Sequence, residues 1–251
     1  MSSAWADVIT LTVPHPPGGA PDVWARIVSK HLTQELNNEY VVVNKPAADG
    51  RIAIDFVAQQ PADGRNLIVV STGPFLFNKV LFKKLNYDYT SFDTIVPMVQ
   101  VPLVLAVSNN LNVSTVKEFV SLAKTKSLNC AGSSGSAVFV GRYVMKQIKA
   151  RETQFIPFKG SADMNVQLAA GNIDCAFDTT LATLPLHQAN KFKIIATSTD
   201  AQIIPSTGLF KSIVPGFVFY NWYGVGMRLN TTGSEQTFRA LRKINQNTEY
   251  Q

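Results

Sequence analysis

The chain has 251 residues, 46% hydrophobic and 16% charged, with 23 Lys and Arg against 17 Asp and Glu for a net charge of +6. This is the make-up of a globular protein with a sizeable core, and no apolar run approaches the roughly 20 residues that cross a bilayer. Basic residues are scattered, in no run longer than Lys83-Lys84. That argues against a nucleic-acid surface and leaves a modest positive field favouring anionic ligands or acidic partners.

The N-terminus has no basic patch and no apolar stretch, so it contains no intact signal peptide. Ala4-Trp5-Ala6 reads as the end of a cleavage site, which places the start next to a removed leader. Val8–Val13 is a β-branched run that stops at Pro14, a strand. A turn-rich loop, His15 to Asp22, leads into a helix with Trp24, Ile27, Val28, His31 and Leu32 at helical spacing. Tyr40–Asn44 is the next strand. The loop Lys45–Arg51 opens a short helix to about Gln59, and Asp63-Gly64 turns into the strand Asn66–Val70.

The middle repeats this order. Val101–Val107 is a strand, and Thr115-x-x-Glu118 is a capping box before a helix. Leu128–Ala131 is a strand, and Gly132–Ser136 opens a helix with Val138, Gly141, Met145 and Ile148 on one face. Gln154–Phe158 is extended, and Lys159-Gly160 starts a helix ending near Gly171. Ile173–Phe177, Phe192–Thr197 and Phe217–Met227 are further strands, and Ser234–Thr248 is a basic amphipathic helix. Strands alternating with helices predict an α/β fold with parallel units.

Each half places a Gly/Ser loop between a strand and a helix, around Pro17–Ala20 and around Ser133–Ser136. A helix N-terminus carries unpaired N–H groups and a positive dipole end, so both loops are candidate anion nests. Neither is a Walker A or a G-x-G-x-x-G fingerprint, and either loop alone is as readily an ordinary turn or N-cap.

No nucleophile elbow, spaced carboxylate pair or metal-ligand cluster is present in the sequence. His31 lies on an apolar helix face and reads as structural. His187 lacks a partner motif. His15 precedes the first glycine loop and is the one histidine placed to act. Cys130 and Cys175 sit far apart in apolar stretches without zinc spacing. Two buried thiols are the plain reading, and one disulfide is the alternative in an oxidising compartment.

Several segments, taken in order, resemble the Bug family, the extracytoplasmic solute receptors of tripartite tricarboxylate transporters. They are Val13-Pro-His-Pro-Pro-Gly-Gly-Ala-Pro-Asp22 with Ala25-Arg26, Val43–Gly50, Asp63-Gly64, Asn78–Asp88, Ala131–Ser136, Ile156–Gly160, Gly171–Asp174 with Phe177-Asp178, and Pro215–Phe217 leading to Trp222–Gly224. The resemblance implies a two-domain periplasmic-binding-protein-like (Venus flytrap) fold with the ligand in the interdomain cleft. Domain I would be 7–104 with 220–251, and domain II would be 105–219. It implies a periplasmic monomer that captures a small organic acid (a mono- or dicarboxylate) by lobe closure and delivers it to the transporter's membrane subunits. No cofactor, metal, nucleic acid or catalysis is implied.

The implied ligand contacts are His15, Pro17, Gly18, Gly19, Ala20 and Asp22 from the first loop, with Ser71 and Thr72 at a strand end. The second loop gives Ser133, Ser134, Gly135 and Ser136, joined by Asp178 and Thr179. Asp178 would order the loop rather than touch an anion. The chain departs from the family at His15, at Lys45 with Ala47-Ala48-Asp49, and over Ile203–Val214. It also ends at Gln251, which would leave domain I short at its C-terminus. If His15 lines the cleft, affinity would vary between about pH 5 and 8. Two other readings are a ligand-dependent sensor of the same fold and a serine hydrolase using Ser134 or Ser136 with His15.

Overall fold

The computed structural model describes residues 8–246, without the side chains of 49, 80, 81, 89, 93–98, 245 and 246. The chain divides into two compact units, residues 1–99 with 222–251 and residues 100–221. The cleavage-site reading at Ala4–Ala6 and the last expected helical residues, Asn247 and Thr248, lie outside the described residues.

Unit 1 starts with β1 (Val8–Val13), α1 (Ala20–Leu36), β2 (Glu39–Asn44), α2 (Arg51–Gln59), β3 (Asn66–Ser71) and the one-turn α3 (Asn78–Leu81). The long strand β4 (Phe92–Val107) carries the chain into unit 2. There follow α4 (Val116–Thr125), β5 (Leu128–Gly132), α5 (Gly135–Gln147), β6 (Thr153–Pro157), α6 (Ser161–Ala170), β7 (Cys175–Thr179), α7 (Thr180–Gln188), β8 (Lys193–Thr197) and the short β9 (Gly208–Leu209). β10 (Tyr220–Arg228) returns to unit 1, where α8 (Ser234–Gln246) closes the described chain.

In unit 1, β1 pairs in parallel with β2 and β3, and β3 pairs antiparallel with β10. Leu67, Ile68, Val69 and Val70 alternate between the faces of β3 and are all fully buried, so the sheet is covered on both sides. In unit 2 the order is β6-β5-β7-β4-β8-β9, with β5, β6 and β7 parallel and β4 antiparallel to both β7 and β8. Leu103, Leu105 and Val107 of β4 join one core with Phe119, Val140 and Phe177, while Val104 and Ala106 join another with Met164, Leu168 and Phe192. A strand buried on both faces reads as a continuous apolar run, which is why Val101–Val107 lacks alternation.

Several local expectations shift. β4 begins at Phe92 rather than Val101, and β10 begins at Tyr220, three residues after Phe217. Phe217 instead ends a turn, its amide bonded to Val214 O, and its ring stacks on Tyr143 at 5.5 Å. On α1, Trp24, Val28, His31 and Leu32 are buried but Ile27 is exposed. On α5 the buried stripe is Ala137, Val140, Gly141, Val144 and Met145, with Val138 only half-buried. Cys130 and Cys175 are not free thiols: they face each other in the β5–β7 register, Cα atoms 4.5 Å apart, and form a buried disulfide.

Candidate functional site

In unit 1 the loop after β1 is held from inside by a carboxylate. Gly18 adopts a left-handed φ of +79°, a conformation that favours glycine, and its amide donates to Asp22 Oδ2 at 2.9 Å. The same carboxylate accepts from Arg26 Nε at 3.1 Å and Asn44 Nδ2 at 2.9 Å. Burial pushes the Asp22 carboxyl upward, but the bonds from Arg26, the Gly18 amide and Asn44, with the Arg26 charge, outweigh it and leave it below the usual range. Of the loop read as a candidate anion nest, the Gly18 amide is thus taken by Asp22. Asn44, which also donates to His15 O at 3.1 Å, ties β2 to the loop.

His15 Nε2 lies 3.0 Å from Ser71 Oγ at the end of β3. Burial pushes the imidazole down to about 4, so it is neutral at pH 7. The expected titration between pH 5 and 8 is thus displaced to below about pH 5, because desolvation disfavours the cation. Next to Ser71, the Thr72 hydroxyl accepts from the Trp222 amide at 2.8 Å, leaving its own proton to donate. Pro17 is exposed at the loop tip, whereas Gly19 and Ala20 are buried at the start of α1.

Unit 2 holds a denser arrangement. The parallel strands β5, β6 and β7 are each followed by a helix, so the N-termini of α5, α6 and α7 lie at one edge of the sheet. Asp178, fully buried near the end of β7, gathers them: its Oδ1 accepts from Ser133 Oγ at 2.5 Å, Ser161 Oγ at 3.1 Å and the Thr179 amide at 2.7 Å. Burial pushes its carboxyl up to about 6 against the opposing pull of these bonds. Ser134 caps α5, accepting from the Ala137 amide at 3.3 Å, and its hydroxyl meets that of Ser136 at 3.1 Å. Ser136 donates to Asn221 Oδ1 at 3.1 Å. Gly135, exposed, is the first residue of α5.

Chemically this edge offers hydroxyls and helix N-termini, an environment for a carboxylate. Among the described residues neither Ser134 nor Ser136 bonds to a histidine or carboxylate base, and His15 is engaged by Ser71. His187 serves structure, its Nδ1 accepting from the Ile194 amide at 3.3 Å. The sequence reading missed Asn44, Ser161 and Asn221. The signal for Asn221 was a lone amide inside the aromatic run Tyr220–Tyr223; Ser161 carried the small-polar signature of a helix start.

Two α/β units joined by strand crossings, with helix N-termini gathered at a sheet edge, define a periplasmic-binding-protein-like fold. The chain belongs to the tripartite tricarboxylate transporter family of receptors (TctC), whose family model matches residues 24–243. It is 26% identical over 230 residues to the UPF0065 protein of the tcbD-tcbE intergenic region of Pseudomonas sp. strain P51, covering 86% of this chain and 67% of that one. It is 27% identical over 228 residues to the protein BugT of Bordetella pertussis, covering 86% of this chain and 69% of BugT. A solved structure from R. palustris, described with adipate, superposes with a TM-score of 0.92 at 25% identity, covering 99% of this chain and 86% of that one. The chain thus spans about two thirds of the length of the curated relatives it matches. The family is one of solute receptors, and no described helix is long and apolar enough to cross a membrane.

Proposed function

We propose that this chain is an extracytoplasmic receptor that captures a small organic carboxylate and presents it to the membrane subunits of a tripartite tricarboxylate transporter. The observation that carries this reading is the gathering of three helix N-termini and the Ser133–Ser136 hydroxyls at one edge of unit 2. The ligand carboxylate sits against Ser134, Gly135 and Ser136 of unit 2; within unit 1 the candidate contacts are His15, Thr72 and the Pro17–Ala20 backbone. Lobe closure belongs to this reading, because a ligand that binds one of two states better shifts the receptor toward it. Asp22 and Asp178 order their loops. The adipate described with the R. palustris structure supports a dicarboxylate of that size.

Calorimetry against a panel of aliphatic and aromatic acids, with sugars and amines as controls, tests the reading. At least one acid binds, and adipate is the first to try. Binding of sugars or amines with failure of every acid overturns it. The double variant Ser134→Leu, Ser136→Leu weakens binding by roughly 100-fold or more, since hydrogen bonds to a charged group contribute about 1.5–3 kcal/mol each. Unchanged affinity in a folded variant removes the serine loop from the site.

A further inference from the structure

Asp178 is a buried acid with no counter-charge. Among the described residues no cation pairs with it, and only burial and hydrogen bonds act on its titration. The charged groups named on the elements packed around it are occupied elsewhere, exposed or distant along their helix. Arg142 of α5 lies over the Phe155 ring, and Lys126 takes Asp174 ahead of β7. Lys159 and Asp163, at the start of α6, are exposed. His187 sits at the far end of α7, and Lys193 of β8 donates to Ser114. β4 places Val104 opposite Asp178.

Asp178 Oδ2 is buried without a hydrogen-bond partner, and Asn165, one turn beyond Ser161 on α6, likewise leaves Oδ1 buried and without a donor. Of the buried atoms left without a partner here, the Thr179 hydroxyl can donate, and a proton on Oδ2 supplies a further donor. Ser133, which donates to Asp178, is the residue before Ser134, so an anion on the serine loop brings a second negative charge close to the first. Two nearby carboxylates in a dry setting do not both stay ionised.

We propose that Asp178 is a proton site coupled to the ligand site, so that the receptor captures the ligand's carboxylate and one proton together. The proton comes from a buffer acid or hydronium, whose bond to it breaks as the O–H bond on Asp178 Oδ2 forms, and it returns to solvent when the ligand leaves; no other bond changes. The inference rests on the carboxylate-receptor reading above. Burial pushes the Asp178 carboxyl up to about 6, so a modest further rise carries it into the neutral range.

The experiment is calorimetry of adipate binding to the intact chain at about pH 7, where adipate is fully ionised, in phosphate and in Tris, whose ionisation enthalpies differ. The enthalpy difference counts the protons exchanged. Uptake of roughly 0.5–1 proton per adipate is expected, with affinity falling up to about tenfold per pH unit above neutrality. In Asp178→Asn the uptake vanishes and affinity becomes flat in pH. In Ser161→Ala, which removes one bond favouring the ionised form, the uptake maximum moves to higher pH. Binding without buffer dependence overturns the proton site while leaving the receptor reading intact, and so does undiminished uptake in Asp178→Asn. Absence of binding by every acid of the panel overturns both.

Discussion

His15 is half-buried and Asp178 fully buried, and burial moves the two titratable groups in opposite directions. His15 is lowered to about 4 from 6.5, so the folded protein binds fewer protons there than the unfolded chain. Its contribution to stability is complete above about pH 6.5 and is lost as pH falls toward 4. Asp178 is raised to about 6 from 3.8, so its contribution is complete below about pH 3.8 and is lost as pH rises toward 6. The two trends oppose each other over one window, and the wild-type curve conceals both. Single variants separate them. His15→Gln loses less stability than wild type on acidification from pH 7 to about 4.5. Asp178→Asn gains about 2–3 kcal/mol on wild type between about pH 4 and 7, the value of two pKa units. Urea unfolding at these pH values reads both, and parallel curves for all three proteins would remove the burial argument. The same lowering makes ligand affinity insensitive to His15 protonation between about pH 5 and 8. At this scale the sequence showed His15 and Asp178 as candidates, but not their titration, because neither burial nor the Ser71 and Ser161 contacts are local in the chain.

The serine loop depends on how closely α5 approaches β5, and Gly132 permits that approach. A Cβ there would meet Val138 N at 2.6 Å and Val138 Cγ2 at 2.7 Å, backbone and a stiff β-branched side chain. Gly132→Ala therefore pushes the first turn of α5 away and moves Ser134 and Ser136 with it. The expected result is a loss of about 1–3 kcal/mol in stability, as for other overpacked sites, and, on the carboxylate-receptor reading, affinity for the bound acid weakened roughly tenfold or more. Melting and calorimetry on the same preparation check this; full affinity in a stable variant would show that helix position does not set the site. Element starts were the most legible feature of the sequence, because caps are local. The Thr115–Glu118 capping box forms as read, with the Glu118 amide donating to Thr115 Oγ1 at 3.2 Å. The full length of β4 was hidden, because Pro97 inside the run signals a break while the backbone stays extended from Phe92 to Val107. Asn44, Ser161 and Asn221 were hidden because each matters only where separate strands end side by side.

The disulfide belongs to the whole molecule. Its pairing was not legible, because it needs the β5–β7 register that α5, β6 and α6 create between the two cysteines. Both cysteines lie in unit 2, each three residues ahead of a site residue: Cys130 before Ser133, Cys175 before Asp178. Closing a loop of 45 residues restricts the unfolded chain by about 4 kcal/mol on the entropic model, with about 2–4 kcal/mol typical of measured bridges. That stabilisation falls on unit 2 alone, since unit 1 has its own core and no cysteine. The tryptophans divide the other way: among the described residues, Trp24 and Trp222 are both in unit 1. Tryptophan emission thus reports unit 1, while far-ultraviolet dichroism reports both units. In Cys130→Ser, Cys175→Ser the dichroism melt gains an early phase that emission does not share, whereas emission melts close to wild type. On the carboxylate-receptor reading, affinity for the acid that binds falls in the same variant, because the Ser133–Asp178 bond loses the covalent tie behind it. Coincident melts shifted equally for both probes would mean that the units unfold as one cooperative body and that the bridge stabilises the whole chain.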